Sequence, residues 1–409
     1  MRGSTHVYAV DLIDEGFGRV LDTARDRGGL DGVILAATYH RAFDILPHNP
    51  IHRVVYHEGG AAYFHPDPRR YEGLHVRPIV SSLARDIDPL GLLMDEAGRR
   101  GMAVRAWTNH LQETDQGPAH PDLTVRNSFG DAYPRWLCPA NPDVRAYVAA
   151  ISADIARYGV ETLVLESMCY QPWDIIFSAG RTHYPYSPIV RWLMSLCFCD
   201  HCLAAAQAAG VRGGELRRYV RDELTGILAG EHSALEDVPF EPDRVGALAG
   251  AEMGAFMDVR RAVVESFVAE TVEAVRRESS ARVAAFDWSG GLVGYAAGGA
   301  SGRVSYHRAW QDGFDPAVIA GLCDGLAILA YTRDLDQFGT DLAGYRAVIP
   351  PDRSLSVAMR PMIPDCHSLD ELRAKVDVAR ALDIDWLEFY HYGLMRLANL
   401  DWVGKALKG

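Results

Sequence analysis

The sequence predicts an α/β protein, a (β/α)8 TIM barrel, on three observations. Eight short β-rich runs recur along the chain, each is continuously apolar rather than alternating, and amphipathic helical patterns lie between them. Continuous apolar character is what parallel strands need when both faces of their sheet are covered. A chain of 409 residues accommodates such a barrel as one unit with room for an insertion. A doubly wound open sheet is the alternative that shares the same rhythm.

In chain order the runs are Val7–Val10, Gly32–Ala37, Ala103–Trp107, Thr162–Leu165, Arg282–Phe286, Leu326–Ala330, Leu355–Met359 and Ile384–Phe389. The helices between them have legible ends. Asn141-Pro142 offers a cap and a first-turn proline, Val144, Tyr147, Val148, Ile151 and Ile155 make one apolar stripe, and Gly159 stops it. Val264, Phe267, Val268, Thr271 and Val275 form a second such face. Ser368 with Glu371 three residues later reads as a capping box. Residues 1–409 therefore read as a single barrel, with 172–255 a long insertion after strand four that carries a cysteine cluster and extra helices. Gly59-Gly60, between Val54–His57 and Ala61–Phe64, reads as a hairpin turn.

Composition narrows the partners. The chain is 48% hydrophobic and 23% charged, an ordinary globular balance with enough length for a large core. Its net charge of −13 comes without basic patches, which argues against nucleic acid and against anionic membrane. No apolar run reaches a membrane span, and Met1-Arg2-Gly3-Ser4 leads straight into a strand pattern, so a cytoplasmic protein with reduced cysteines is expected. Homo-oligomerisation is left open. No phosphate-binding or dinucleotide fingerprint is present, and Asp287-Trp288-Ser289-Gly290-Gly291 does not make one.

In a barrel, chemistry sits where strands end and loops begin, at the C-terminal face. The polar residues there are Asp11 after strand one, Tyr39 and His40 after strand two, and Asn109 and His110 after strand three. Glu166 follows strand four, Asp287 and Trp288 strand five, Tyr331 and Arg333 strand six, Arg360 strand seven, and Glu388, Tyr390 and His391 close strand eight. Carboxylates serve as proton donors, bases or nucleophiles at an acetal carbon, and aromatic faces stack on sugar rings. Glu166 leads this list because it ends Leu163-Val164-Leu165, where a buried carboxylate costs several kcal/mol unless paired or functional. Asp11 and Asp287 have the same form and are the other catalytic candidates. Each acid also has a plain structural reading, as a helix cap or an arginine partner, and Glu388 could face either side of its strand. His110 and His391 read as pocket walls more than as bases. Tyr71, Arg77, Asn127, Asp131, Tyr170, Trp173 and His183 are loop residues of the same face; Tyr170 and Trp173 could be sugar platforms, although loop aromatics commonly just pack.

Leu196-Cys197-Phe198-Cys199-Asp200-His201-Cys202 places three of seven cysteines within six positions. Structural zinc takes four ligands in a tetrahedron. His201 is poorly placed beside Cys202, so the fourth ligand comes from elsewhere, with Cys138 and Cys169 as rivals.

The order Cys138, Glu166, Cys197, Cys199, Cys202 resembles the zinc-containing β-galactosidases of glycoside hydrolase family forty-two. There a Cys-x-Cys-x2-Cys cluster follows the strand-four acid/base glutamate and a fourth cysteine precedes that strand. The stretches GMAVRAWTNH, NSFGDAYPRWLCPANP and LVLES also look like barrel proteins described as glycosyl hydrolases, over roughly residues 54–205. The resemblance implies Glu166 as proton donor and one structural zinc held by Cys138, Cys197, Cys199 and Cys202. The chain departs from the family in having Leu165 where an asparagine precedes the acid/base, and in lacking a glutamate near the end of strand seven in LSVAMRPMIPD, where Asp365 lies farther along. The second carboxylate is therefore not carried over.

The sequence thus points to a glycosidase of carbohydrate metabolism acting on a carbohydrate or glycoconjugate, with Glu166 as general acid and Asp287 or Asp11 as its partner. Two other classes fit the same residues. One is a sugar-acid lyase or isomerase using His40, His110, Tyr331 and Tyr390, with Arg333 or Arg360 holding the carboxylate. The other is a non-catalytic carbohydrate-binding barrel.

Overall fold

Eight parallel strands close into a barrel in a computed structural model that describes residues 1–170, 184–291 and 301–409. They are β1 (Arg2–Val7), β2 (Gly32–Tyr39), β3 (Ala103–Asn109), β4 (Thr162–Glu166), β5 (Arg282–Asp287), β6 (Gly325–Leu329), β7 (Ser354–Met359) and β8 (Trp386–Phe389). β1 pairs with both β2 and β8, so the sheet has no open edge at that point and the doubly wound alternative falls.

β1 lies five residues earlier than its apolar signal suggested. Ser4 and His6 face the barrel interior while Thr5 and Val7 face the helices, so the strand has no continuous apolar run. The apolar Val7–Val10 instead runs through Tyr8, the N-cap of the helix Ala9–Glu15, and Asp11 is the third residue of that helix rather than a strand end. The other seven strands fall within two residues of their expected positions.

The outer helices follow the capping logic. Asn141 Oδ1 accepts from the N–H groups of Asp143 and Val144 to open Pro142–Ala156, and Gly159 takes a left-handed φ of 78° beyond its end. Ser368 caps Leu369–Ala381, but only half of the expected capping box forms: the Glu371 carboxylate accepts from His367 N–H and pairs with Arg333. Gly59-Gly60 is not a hairpin turn. Val54–Tyr56 pairs with Phe43–Ile45, whereas Ala61–Ala62 joins the edge of β2.

Between β4 and β5 the described residues form the helices Pro188–Ser195, Asp200–Ala208, Gly213–Leu228, Pro242–Gly246 and Glu252–Glu278. The last packs along Pro142–Ala156 as a barrel helix and runs unbroken through position 255. The shorter ones pack with the start of that long helix in a second apolar cluster, including Trp192, Leu193, Phe198, Val220 and Phe256. The expected start of the insertion at 172 lies outside the described residues, as do Trp173 and His183.

Candidate active site

Register and pleat decide which strand-end residues meet on the barrel axis. In β3, Arg105, Trp107 and Asn109 point inward, while Thr108 and His110 point to the helices. Glu166 pairs in register with Asn109, so its side chain also points inward. The Trp107 indole Nε1–H donates to Glu166 Oε2, and Asn109 Nδ2 lies 3.4 Å from the same oxygen. Burial dominates these two bonds and pushes the Glu166 carboxyl up to about 8. Directly after it, Ser167 adopts a φ of 60°, a left-handed conformation unusual for serine and costly by about 1 kcal/mol or more. The chain therefore turns sharply where the carboxyl is presented.

A β-bulge brings Tyr39 to the same chamber. Ala36 pairs with Trp107 but Thr38 pairs with Thr108, so Ala37 is an extra residue in β2. Without it, Tyr39 would face the helices. With it, the Tyr39 ring stands 5.1 Å from Trp107, and its hydroxyl accepts from Tyr8 Oη at 3.0 Å. Tyr390 Oη lies 3.2 Å from Tyr8 Oη, His391 stacks on Tyr8 at 3.9 Å, and Tyr331 stands 5.9 Å from Tyr390. His40 stacks on the outer face of Tyr39 at 4.3 Å. These rings form an aromatic wall beside Glu166.

Below the wall, Arg105 pairs with Glu388 and donates to Ser356 Oγ at 3.1 Å. His6 Nε2 stands 3.7 Å from Glu388 Oε2, and its ring meets Trp107 edge-on at 5.3 Å. Burial pushes His6 down to about 4 despite that carboxylate. Glu388 thus does face inward, as a partner of Arg105.

Other expected site residues are placed elsewhere. His110 bonds Thr108 and Ser152 behind β3, and burial pushes it down to about 3. Asp287 points outward: Tyr345 Oη donates to one oxygen at 2.7 Å and Ser289 N–H to the other at 2.8 Å. Asp11 accepts from Tyr8 N–H at 2.9 Å beneath Gly393, fully buried, with its carboxyl pushed up to about 7 by burial. Trp288 packs on Trp136 at 5.7 Å. Arg333 is on the surface with Glu371, and Arg360 is locked onto Asp365 at 2.6 and 2.8 Å with its guanidinium over Tyr331. Tyr71 donates to Asp154, and Asn127 accepts from Phe129 and Asp131 N–H to shape the 124–137 hairpin. Arg77 is exposed and contributes its carbonyl to Gln116 Nε2, and Asp131 is exposed in the same hairpin turn. The residues that sequence reasoning missed are His6, Tyr8, Arg105 and Trp107. Period-two spacing from Asn109 would have found Arg105 and Trp107; His6 and Tyr8 were hidden by the misplaced first strand.

The cysteines converge. Cys138 Sγ lies 3.5, 3.6 and 3.8 Å from the sulfurs of Cys202, Cys199 and Cys197, all buried. A tetrahedron with Zn–S bonds of about 2.3 Å has S···S edges of about 3.8 Å, so this donor set fits a four-thiolate ion. Tyr170 belongs here and not to the aromatic wall: its hydroxyl lies 3.3 Å from Cys202 Sγ, under the Arg260 guanidinium at 4.5 Å. The rival Cys169 stays outside the group.

No protein-family model matches the chain, and no curated protein matches its sequence. Solved structures do match its fold. The chain is similar over its whole length to a β-galactosidase from the psychrophilic Marinomonas ef1, at 10% identity and a TM-score of 0.59, covering 59% of that chain. It is similar over its whole length to α-L-fucosidase isoenzyme 2 from Paenibacillus thiaminolyticus, at 13% identity and 0.55, covering 49% of that chain. It also matches, over 99% of its length, the catalytic domain of a β-amylase from Paenibacillus polymyxa at 11% identity and 0.56, covering 98%. The chain thus spans only half to three fifths of the first two. The shared feature is the (β/α)8 barrel fold.

Proposed function

We propose that the chain is a glycoside hydrolase in which Glu166 is the general acid. The observation that carries this reading is the inward-facing carboxyl at the end of β4, held near a pKa of about 8 beside an aromatic wall. At neutral pH such a group is protonated, the state needed to protonate a departing glycosidic oxygen. Trp107 and Asn109 both donate to Oε2, which leaves Oε1 to carry the proton. Tyr8, Tyr39 and Tyr390 supply ring faces and hydroxyls suited to a sugar. The sugar-acid lyase or isomerase reading is less well supported: His110 faces a helix, and Arg333 and Arg360 are committed to Glu371 and Asp365. A binding barrel without catalysis would use the carboxyl only as a hydrogen-bonding partner for sugar hydroxyls, and turnover of a glycoside separates the two readings.

We read the four-cysteine group as a structural zinc site, since four thiolates leave no open position for water or substrate. The ion would tie the 124–137 hairpin, through Cys138, to the turn and helix start that carry Cys197, Cys199 and Cys202.

The test is a panel of aryl and alkyl glycosides, followed by NMR for both anomers, with wild type and Glu166→Gln. The nearly isosteric variant should fold and lose about a hundredfold or more on a poor leaving group, with a smaller loss on an activated aryl group. Equal rates on both substrates would remove Glu166 from the chemistry.

A further inference from the structure

His75, His120 and Asp122 bring one imidazole nitrogen each and a carboxylate oxygen within 4.8 Å of one another, as a donor group separate from the four cysteines. We infer that this group is a second, peripheral metal site that takes a divalent transition ion and pins together the loops following β2 and β3. His75 comes from the first loop, and His120 and Asp122 from the second. The two imidazoles are not stacked: their planes are 86° apart with centroids at 5.0 Å, an arrangement that lets both ring edges turn toward one point. Asp143 Oδ2 stands 3.4 Å from His75 Nδ1, where it can orient that imidazole as an outer-shell carboxylate.

The backbone under these side chains is built firmly. His120 N–H closes the short helix Gln116–Ala119, Pro121 follows it, and the Pro121 carbonyl accepts from Thr124 Oγ1 and from Arg126 Nη2. Asp143 sits in the first turn of Pro142–Ala156, fixed by the Asn141 cap. Gln116 Nε2 already donates to the Arg77 carbonyl at 2.5 Å, so the two loops are in contact beside the group. The Arg126 guanidinium on this hairpin is held by the Pro121 and Gly130 carbonyls. His75 and Asp122 are exposed, so an ion reaches them without opening the fold.

Two imidazoles with a carboxylate suit zinc or nickel and not magnesium or calcium, which prefer all-oxygen shells. Zn–N and Zn–O bonds of about 2.0–2.1 Å require the donors to draw in by about an ångström, which side-chain rotation on exposed residues supplies.

The experiment uses the full chain purified after zinc-replete growth, so that buried thiolates are already saturated, passes it over a chelating resin to empty exposed sites, and titrates it with zinc sulfate by calorimetry. Wild type should take up about one equivalent more than the His75→Ala/His120→Ala variant, and its thermal midpoint should rise with zinc while the variant's does not. His120→Gln alone should weaken the added equivalent by at least about tenfold. The difference between proteins, not the total, is the readout, so an empty or filled cysteine site leaves it unchanged. Equal uptake by wild type and double variant, or an equal rise in midpoint, would overturn the inference.

Discussion

The Trp107 indole reaches from β3 to β4 and donates its N–H to Glu166 Oε2, making the tryptophan the group that orients the carboxyl on the barrel axis. Its ring is itself fixed by Tyr39 and His6. The bond lowers the Glu166 pKa against the larger effect of burial.

Trp107→Phe keeps a ring in the wall but removes that donor. The Glu166 carboxyl should then titrate above about 8. A general acid works while protonated, so the alkaline fall in kcat/KM should move to higher pH in the variant. Carbon-13 NMR of labelled glutamate checks the same shift without substrate. An unchanged titration would mean that the indole does not hold this carboxyl.

Stability should report the same group. Folded Glu166 titrates at about 8 and an ordinary glutamate at 4.5, so between those values the folded protein holds a proton that the unfolded chain has released. The contribution is fully present below 4.5 and is lost as pH rises through about 8. Glu166→Gln cannot ionise and should gain on wild type by up to several kcal/mol between about pH 5 and pH 9. Thermal midpoints measured in parallel at the two ends of that range test the sign: a constant difference would refute a raised pKa.

Zinc at the cysteine group should appear as about one equivalent per chain by elemental analysis, over and above whatever the exposed histidines hold. Cys138→Ser removes a sulfur that lies 3.5 to 3.8 Å from the other three and should abolish that equivalent and lower the thermal midpoint. Chelation should cost stability before it costs activity. Wild-type protein with less than about a tenth of an equivalent would show that the four thiols pack without an ion.

The Arg105–Glu388 pair is fully buried below the chamber. Arg105→Met takes the guanidinium away from the buried Glu388 and should cost about 3–5 kcal/mol. The double variant Arg105→Met/Glu388→Leu should recover much of that loss, because it leaves no buried charge unpaired. Urea unfolding of the four proteins in the cycle gives the coupling; a double variant as unstable as the sum of the singles would show that the two side chains act independently.

Much of the architecture is written locally in the chain. Seven strands, the Asn141 cap, the Gly159 stop and the stripe on Val264–Val275 depend on neighbours a few residues apart, which sequence displays directly. Glu166 is legible as a candidate for the same reason, but so is Asp287, which ends an equally apolar strand and is bonded to Tyr345 and Ser289. The cysteine spacing likewise marks three ligands and leaves Cys138 and Cys169 as rivals for the fourth; the family resemblance implies Cys138, 59 residues from Cys197, and the fold brings it to the other three.

Tertiary structure decided which way each strand-end residue points. In strands covered on both faces, apolar character gives no phase to the period-two alternation, so it cannot tell an inward residue from an outward one. Pairing register sets that phase. It turned Asp287 and His110 to the helices and Glu166 and Trp107 to the axis, and one extra residue in β2 returned Tyr39 to the chamber. β1 escaped detection because its inward face carries Ser4 and His6, polar groups that only the closed barrel could gather beside Arg105 and Glu388.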